Sequence, residues 1–122
     1  MSGTYRNLKA WQSAMKLVST IYRDSERFPS NKKYGLTSQI RRAAVSVASN
    51  IAEGKGRSSD RELVQFLNHA RGSLFEIETQ ISIAHDLGYW SDGQTAELLD
   101  RTAEVGRILN GLIKALRVSS AA

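Results

Sequence analysis

Residues 39–57 read QIRRAAVSVASNIAEGKGR, and the order of residue types in this stretch decides the fold. Arg41 and Arg42 precede ten uncharged, mostly small residues, Ala43 to Ala52; then come Glu53, a Gly54-Lys55-Gly56 step and Arg57. Wound as a helix, Ile40, Ala44, Val47 and Ile51 share one face, and Val45, Ala48 and Ala52 widen it along one flank. An apolar arc this wide asks for more burial than one bundle contact supplies. Val45, Ala48 and Ala52 are therefore expected to form a surface between copies of the chain, with Glu53 as a polar anchor near it.

Reading towards the N-terminus, Leu8, Trp11, Met15, Val18 and Tyr22 recur three and four apart, with Ala14 and Ile21 beside them. They predict a first helix that stops near Phe28, because Pro29 disfavours helix in the residue before it. The loop PSNKKYG follows, turn-rich and basic. The second helix is expected from about Leu36 to Glu53, ended by Gly54-Lys55-Gly56, where glycine can take the left-handed conformation.

Reading towards the C-terminus, Ser59 with Glu62 has capping-box spacing, and Asp60 suits the positive end of a helix dipole. Leu63, Phe66, Leu67, Ala70, Leu74, Ile77, Ile81 and Ala84 mark the face of a third helix ended by Gly88. Ser91 and Gln94 repeat the capping box before a fourth helix bearing Leu98, Thr102, Val105, Leu109, Leu112 and Leu116. Strand-like alternation is absent. The fold class is all-α, an antiparallel up-down-up-down four-helix bundle over residues 1–117, with a frayed tail at 118–122. Tyr89 and Trp90 are read as an end cap over the core.

The 122 residues include no cysteine, which excludes disulfides and thiolate metal sites. The opening MSGTYRNLK has no apolar signal core, and no run approaches the ~18 apolar residues of a membrane span. A soluble, cytoplasmic protein with no membrane contact is expected. The net charge of +5 hides a polarity. Residues 1–57 carry eleven Lys or Arg against three Asp or Glu, +8, and residues 58–122 carry six against nine, −3. A basic side can meet a polyanion, or unlike sides of neighbouring copies can meet head to tail.

Signs of catalysis are weak. His69 and Glu76 lie on the outward face of the third helix, and His85 lies on another flank with Glu78 and Arg71. Neither histidine has a second histidine at ligand spacing. Gly54-Lys55-Gly56 follows a helix and lacks the longer glycine pattern that cradles phosphate. No enzyme, cofactor or metal is expected. Glu78 projects to the edge of the core stripe, where an unpaired carboxylate is costly. It is expected to pair with a basic group of the first two helices, such as Arg41, or with a neighbouring subunit.

The chain resembles the four-helix-bundle proteins encoded in intervening sequences of bacterial 23S rRNA genes. LKAWQ, YGLTSQIRRAAVSVASNIAEGKGR, FLNHARGSLFEIETQ and LNGLIKAL carry the resemblance from Tyr5 to about Leu116. That family often has proline where Ala48 stands here, so a straighter second helix is implied. The resemblance also implies a cytosolic homo-oligomer, a ring of five subunits. The accessory proteins of diversity-generating retroelements are similar, and they bind nucleic acid and a reverse transcriptase through basic surfaces.

The expected function is that of a homo-oligomeric accessory protein contacting RNA or DNA. Lys32, Lys33, Arg41 and Arg42 gather near the start of the second helix, with Lys55 and Arg57 at its far end. No aromatics interleave these cations, so contact is expected with phosphates and not with stacked bases. The competing assignment has the same cations in salt bridges to the acidic half. The competing function is a protein-interaction scaffold that touches no nucleic acid.

Overall fold

The computed structural model describes residues 4–29 and 33–121, and all regular structure among them is helical. A short 3-10 turn, Tyr5–Asn7, leads into α1, Lys9–Ser25. A helical turn at Lys33–Thr37, bent at Gly35, leads into α2, Ser38–Lys55; α3, Asp60–Asp86, and α4, Asp92–Ala121, complete the fold. Helical geometry in α4 thus continues past Arg117, although Val118 is 63% exposed.

Side-chain caps fix two helix starts. The Glu62 amide donates to Ser59 Oγ at 3.2 Å, opening α3 as the spacing predicts. Ser91 and Gln94 form the full reciprocal box: the Gln94 amide donates to Ser91 Oγ at 3.1 Å, and the Ser91 amide donates to Gln94 Oε1 at 3.2 Å. Each satisfies amides that the first turn of a helix cannot pair internally.

The helix ends differ from expectation at one point. Gly56 sits in the right-handed region at φ −79°, so α2 does not stop on a left-handed glycine. Gly88 takes that conformation instead, at φ 78°. Its amide donates to His85 O and the Tyr89 amide to Ala84 O, both at 2.9 Å, the bonding pattern of a Schellman stop. Gly54 serves a different need. A Cβ there would lie 2.7 Å from Phe66 Cβ and 3.0 Å from Leu63 Cδ1, so its missing side chain lets α2 and α3 close on each other.

Cross-helix neighbours give the directions. Ser46 bonds Ser73 at 2.9 Å while Gly54 meets Leu63 and Phe66, so α2 and α3 run oppositely. Arg71 donates to Asn110 and His85 meets Asp92, so α3 and α4 do likewise. Arg41, near the start of α2, donates to Ser25 Oγ and Tyr22 O at the end of α1.

The core is apolar and continuous. Every α3 residue named from the sequence is buried except Phe66, which is half-buried, and all four of the principal α2 residues are buried. On α4, Leu98, Thr102, Val105 and Leu109 are buried, but Ile113 takes the place expected for Leu112. On α1 the periodic residues divide, with Ala14 and Ile21 in the core. The core face is Ala10, Ala14, Leu17 and Ile21, whereas Met15 and Tyr22 are 39% and 41% exposed. Leu8, Trp11 and Val18 are only half-buried. Leu8, Trp11 and Val18 pack against the edge of the core, while Met15 and Tyr22 lie further round the helix.

Trp90 closes one end of the bundle. It is buried, its ring centroid lies 4.8 Å from that of Phe28, and its Nε1 donates to Asp24 O at 2.7 Å.

Candidate subunit and nucleic-acid interface

The displaced face of α1 meets the widened flank of α2 in an open groove. Tyr5, Trp11, Met15, Val18, Val45, Ala48, Ser49 and Ala52 line about 270 Å³ of it. On α2 this follows from the wheel: Ile40, Ala44, Val47 and Ile51 use the core, leaving Val45, at 41% exposure, and Ala52 on the outer flank. Ala48 is already buried within the chain and forms the floor. The structure thus gathers three of the four expected interface residues. Glu53 is not among them. It lies on the α3 side, where its Oε2 accepts from Arg57 Nη2 at 2.8 Å and the guanidinium stacks over Phe66 at 4.8 Å.

The expected phosphate-binding cations are dispersed. Arg41 Nε donates to Ser25 Oγ at 2.8 Å and its Nη2 to Tyr22 O at 3.1 Å, with the guanidinium 4.6 Å above the Tyr22 ring. It adds a second donor to a carbonyl in the last turn of α1 that also accepts from Ser25 Oγ. This commitment also takes Arg41 away from Glu78, which makes no ion pair among the described residues and faces α4 on the same side as Arg71. Arg57 is held by Glu53. Arg42 is exposed and lines the α2–α3 groove with Gln39, Glu76 and Gln80, making no ion pair among the described residues. Lys55 is half-buried. Lys32 lies outside the described residues, as does the side chain of Lys33.

Sequence reasoning missed a second row of cations. Lys9, Lys16 and Arg23 recur every seven residues on an exposed face of α1, and the spacing alone identifies them. Lys9 and Lys16 flank the α1–α4 groove opposite Glu104, and Arg23 pairs with Asp24 at 3.0 Å.

Residues 6–111 match the model of the 23S rRNA-intervening sequence protein family. The chain belongs to this family. A crystal structure of a Bacteroides thetaiotaomicron protein of unknown function, from the S23 ribosomal protein family, has the same fold. Its TM-score is 0.79 at 20% identity, over 86% of this chain and 95% of that one. No curated protein matches. In this member of the 23S rRNA-intervening sequence protein family α2 runs unbroken through Ala48, as an alanine at that position permits.

Among the described residues no group of three His, Cys, Asp or Glu is arranged to hold a metal ion. No helix among them is long and apolar enough to cross a membrane. His85 finds carboxylates instead, with Nε2 2.6 Å from Asp92 Oδ1 and Nδ1 3.7 Å from Asp86 Oδ1. The hydrogen bond to Asp92 outweighs desolvation and, helped by the charges of Asp92 and Asp86, raises the His85 pKa above the ordinary value. A histidine whose pKa is raised on folding adds stability below its unfolded value of about 6.5, and that contribution fades as pH rises through the folded value. Asp92→Asn is expected to bring the His85 midpoint, followed by NMR titration, down towards the unfolded value. An unchanged midpoint would assign the raised affinity elsewhere.

Proposed function

We propose that this chain is a non-catalytic, cytoplasmic accessory protein that assembles with copies of itself through the α1–α2 face and contacts RNA or DNA phosphates through cations of its first half. The observation that carries the reading is the open groove of Trp11, Met15, Val18 and Val45. These side chains are contiguous and partly exposed, and apolar surface of this kind marks interaction sites. Five copies in a ring is the assembly that the family resemblance implies.

Phosphate contact is supported by the +8 balance of residues 1–57 and by the exposure of Lys9, Lys16 and Arg42. A ring repeats such cations on every subunit, adding avidity without new contacts. Binding of this kind follows backbone charge and weakens with salt. Filter binding of a duplex across a salt series is expected to give a negative slope of log affinity against log salt. Arg42→Ala should flatten that slope by about one unit per bound subunit.

A second reading, a scaffold for a protein partner such as a reverse transcriptase, is favoured by one observation. Arg41 and Arg57 are already engaged within the chain. A slope of zero would select the scaffold and overturn phosphate contact.

A further inference from the structure

A second apolar strip lies on the outer face of α3. Phe75 is 61% exposed, Ile83 and Leu87 are also exposed, and Thr79 sits between them at four-residue spacing. Gln39, Phe75, Glu76, Thr79, Gln80 and Ile83 line a shallow depression along it. From Phe75 to Ile83 the lined depression runs ~12 Å at 1.5 Å per residue, and from Trp11 to Val18 the α1–α2 groove runs ~10 Å. The two are matched in length.

Their rims differ in charge. Arg6 stacks over Tyr5 and Trp11, 5.4 and 5.5 Å from the ring centroids, at one end of the groove; Arg41 covers Tyr22, one turn of α1 beyond Val18. Both guanidiniums meet rings or neutral oxygens and no carboxylate among the described residues, so their charge stands unneutralised. Glu76 lines the α3 strip near Phe75, and Asp86 follows Ile83 by three residues on the same side of the helix. Arg42 lies across the α2–α3 groove from Glu76, forming no ion pair with it.

Resting on the assembly reading above, we infer that the α1–α2 groove of one copy receives the α3 strip of the next. Groove against groove would oppose Arg6 and Arg41 to their own copies. Like charges brought together across an interface penalise that pairing, whereas groove against strip sets these two cations against Glu76 and Asp86. The contact is head to tail, each subunit using two different surfaces. In a four-cornered bundle the α1–α2 side and the outer face of α3 are not diametrically opposed, so successive subunits turn as they add.

Two full-length variants separate this arrangement from a symmetric one. Val45→Glu spoils the groove and Phe75→Glu spoils the strip, and both positions are exposed, so circular dichroism melts should stay close to the parent. Light scattering is expected to return a monomer of 13.5 kDa for each alone. Mixed at high concentration, they should form one-to-one dimers and nothing larger, since the mixture retains one sound groove and one sound strip per pair. A Phe75→Glu protein that keeps the parent mass, or a mixture that stays monomeric, overturns the groove-to-strip pairing while leaving assembly itself intact. A parent chain that is itself monomeric overturns both.

Discussion

Trp90→Ala is expected to lower the free energy of unfolding by about 3–5 kcal/mol, the range for removing a buried large aromatic. The indole is 3% exposed and packs against Phe28, and it reaches across from the α3–α4 turn to the end of α1. Its truncation does two things. It opens a cavity under Phe28 and Tyr89, and it leaves Asp24 O without the 2.7 Å bond it accepts from Nε1. Trp90→Phe separates them. The ring is largely kept and the donor is lost, so the expected cost falls to about 1 kcal/mol, that of losing a part-buried hydrogen bond. Urea unfolding of the two variants measures both figures. A loss below about 1 kcal/mol for Trp90→Ala would mean that the cap is dispensable.

Gly54→Val is the second large expected effect, about 1–3 kcal/mol of destabilisation from overpacking. The clash is with Phe66 Cβ, the root of a side chain, and no rotamer change can move it. The helices α2 and α3 must part, and Leu63, packed beside the same spot, must part with them. Gly54→Ala places one methyl in the same position but gains about 1 kcal/mol of helix propensity, so its net loss should be smaller. Gly54 is not among the positive-φ glycines, so close approach and not backbone freedom sets its identity. Urea midpoints in the order parent, alanine, valine are expected. A valine variant as stable as the parent would contradict this packing.

How far the sequence discloses such features depends on whether one signal or two compete for a segment. The third helix was legible because its face, its Ser59–Glu62 cap and its glycine stop all agree. The first helix carries two apolar faces about a quarter-turn apart. The smaller one, Ala10, Ala14, Leu17 and Ile21, packs inward, while the bulkier residues suggested the wrong side. Size misled there because the bulky face lines the open α1–α2 groove. The candidate site was legible in the same degree. Val45, Ala48 and Ala52 emerged from the wheel of α2 alone, but Trp11, Met15 and Val18 were read only as the periodicity of a first helix and not joined to them. Arg41 looked free because its acceptors are a serine hydroxyl and a main-chain carbonyl, which leave no charge pattern in the sequence. His85 and Asp92, seven residues apart, come together only once the Gly88 turn folds the chain back.

The surface between copies is the claim on which the functional reading stands, and the solution mass of the unmodified chain tests it most directly. Light scattering over a dilution series is expected to return a fixed multiple of 13.5 kDa at all but the lowest concentrations. A mass of 13.5 kDa held up to millimolar protein would contradict it, with Met15 and Val45 then left facing water.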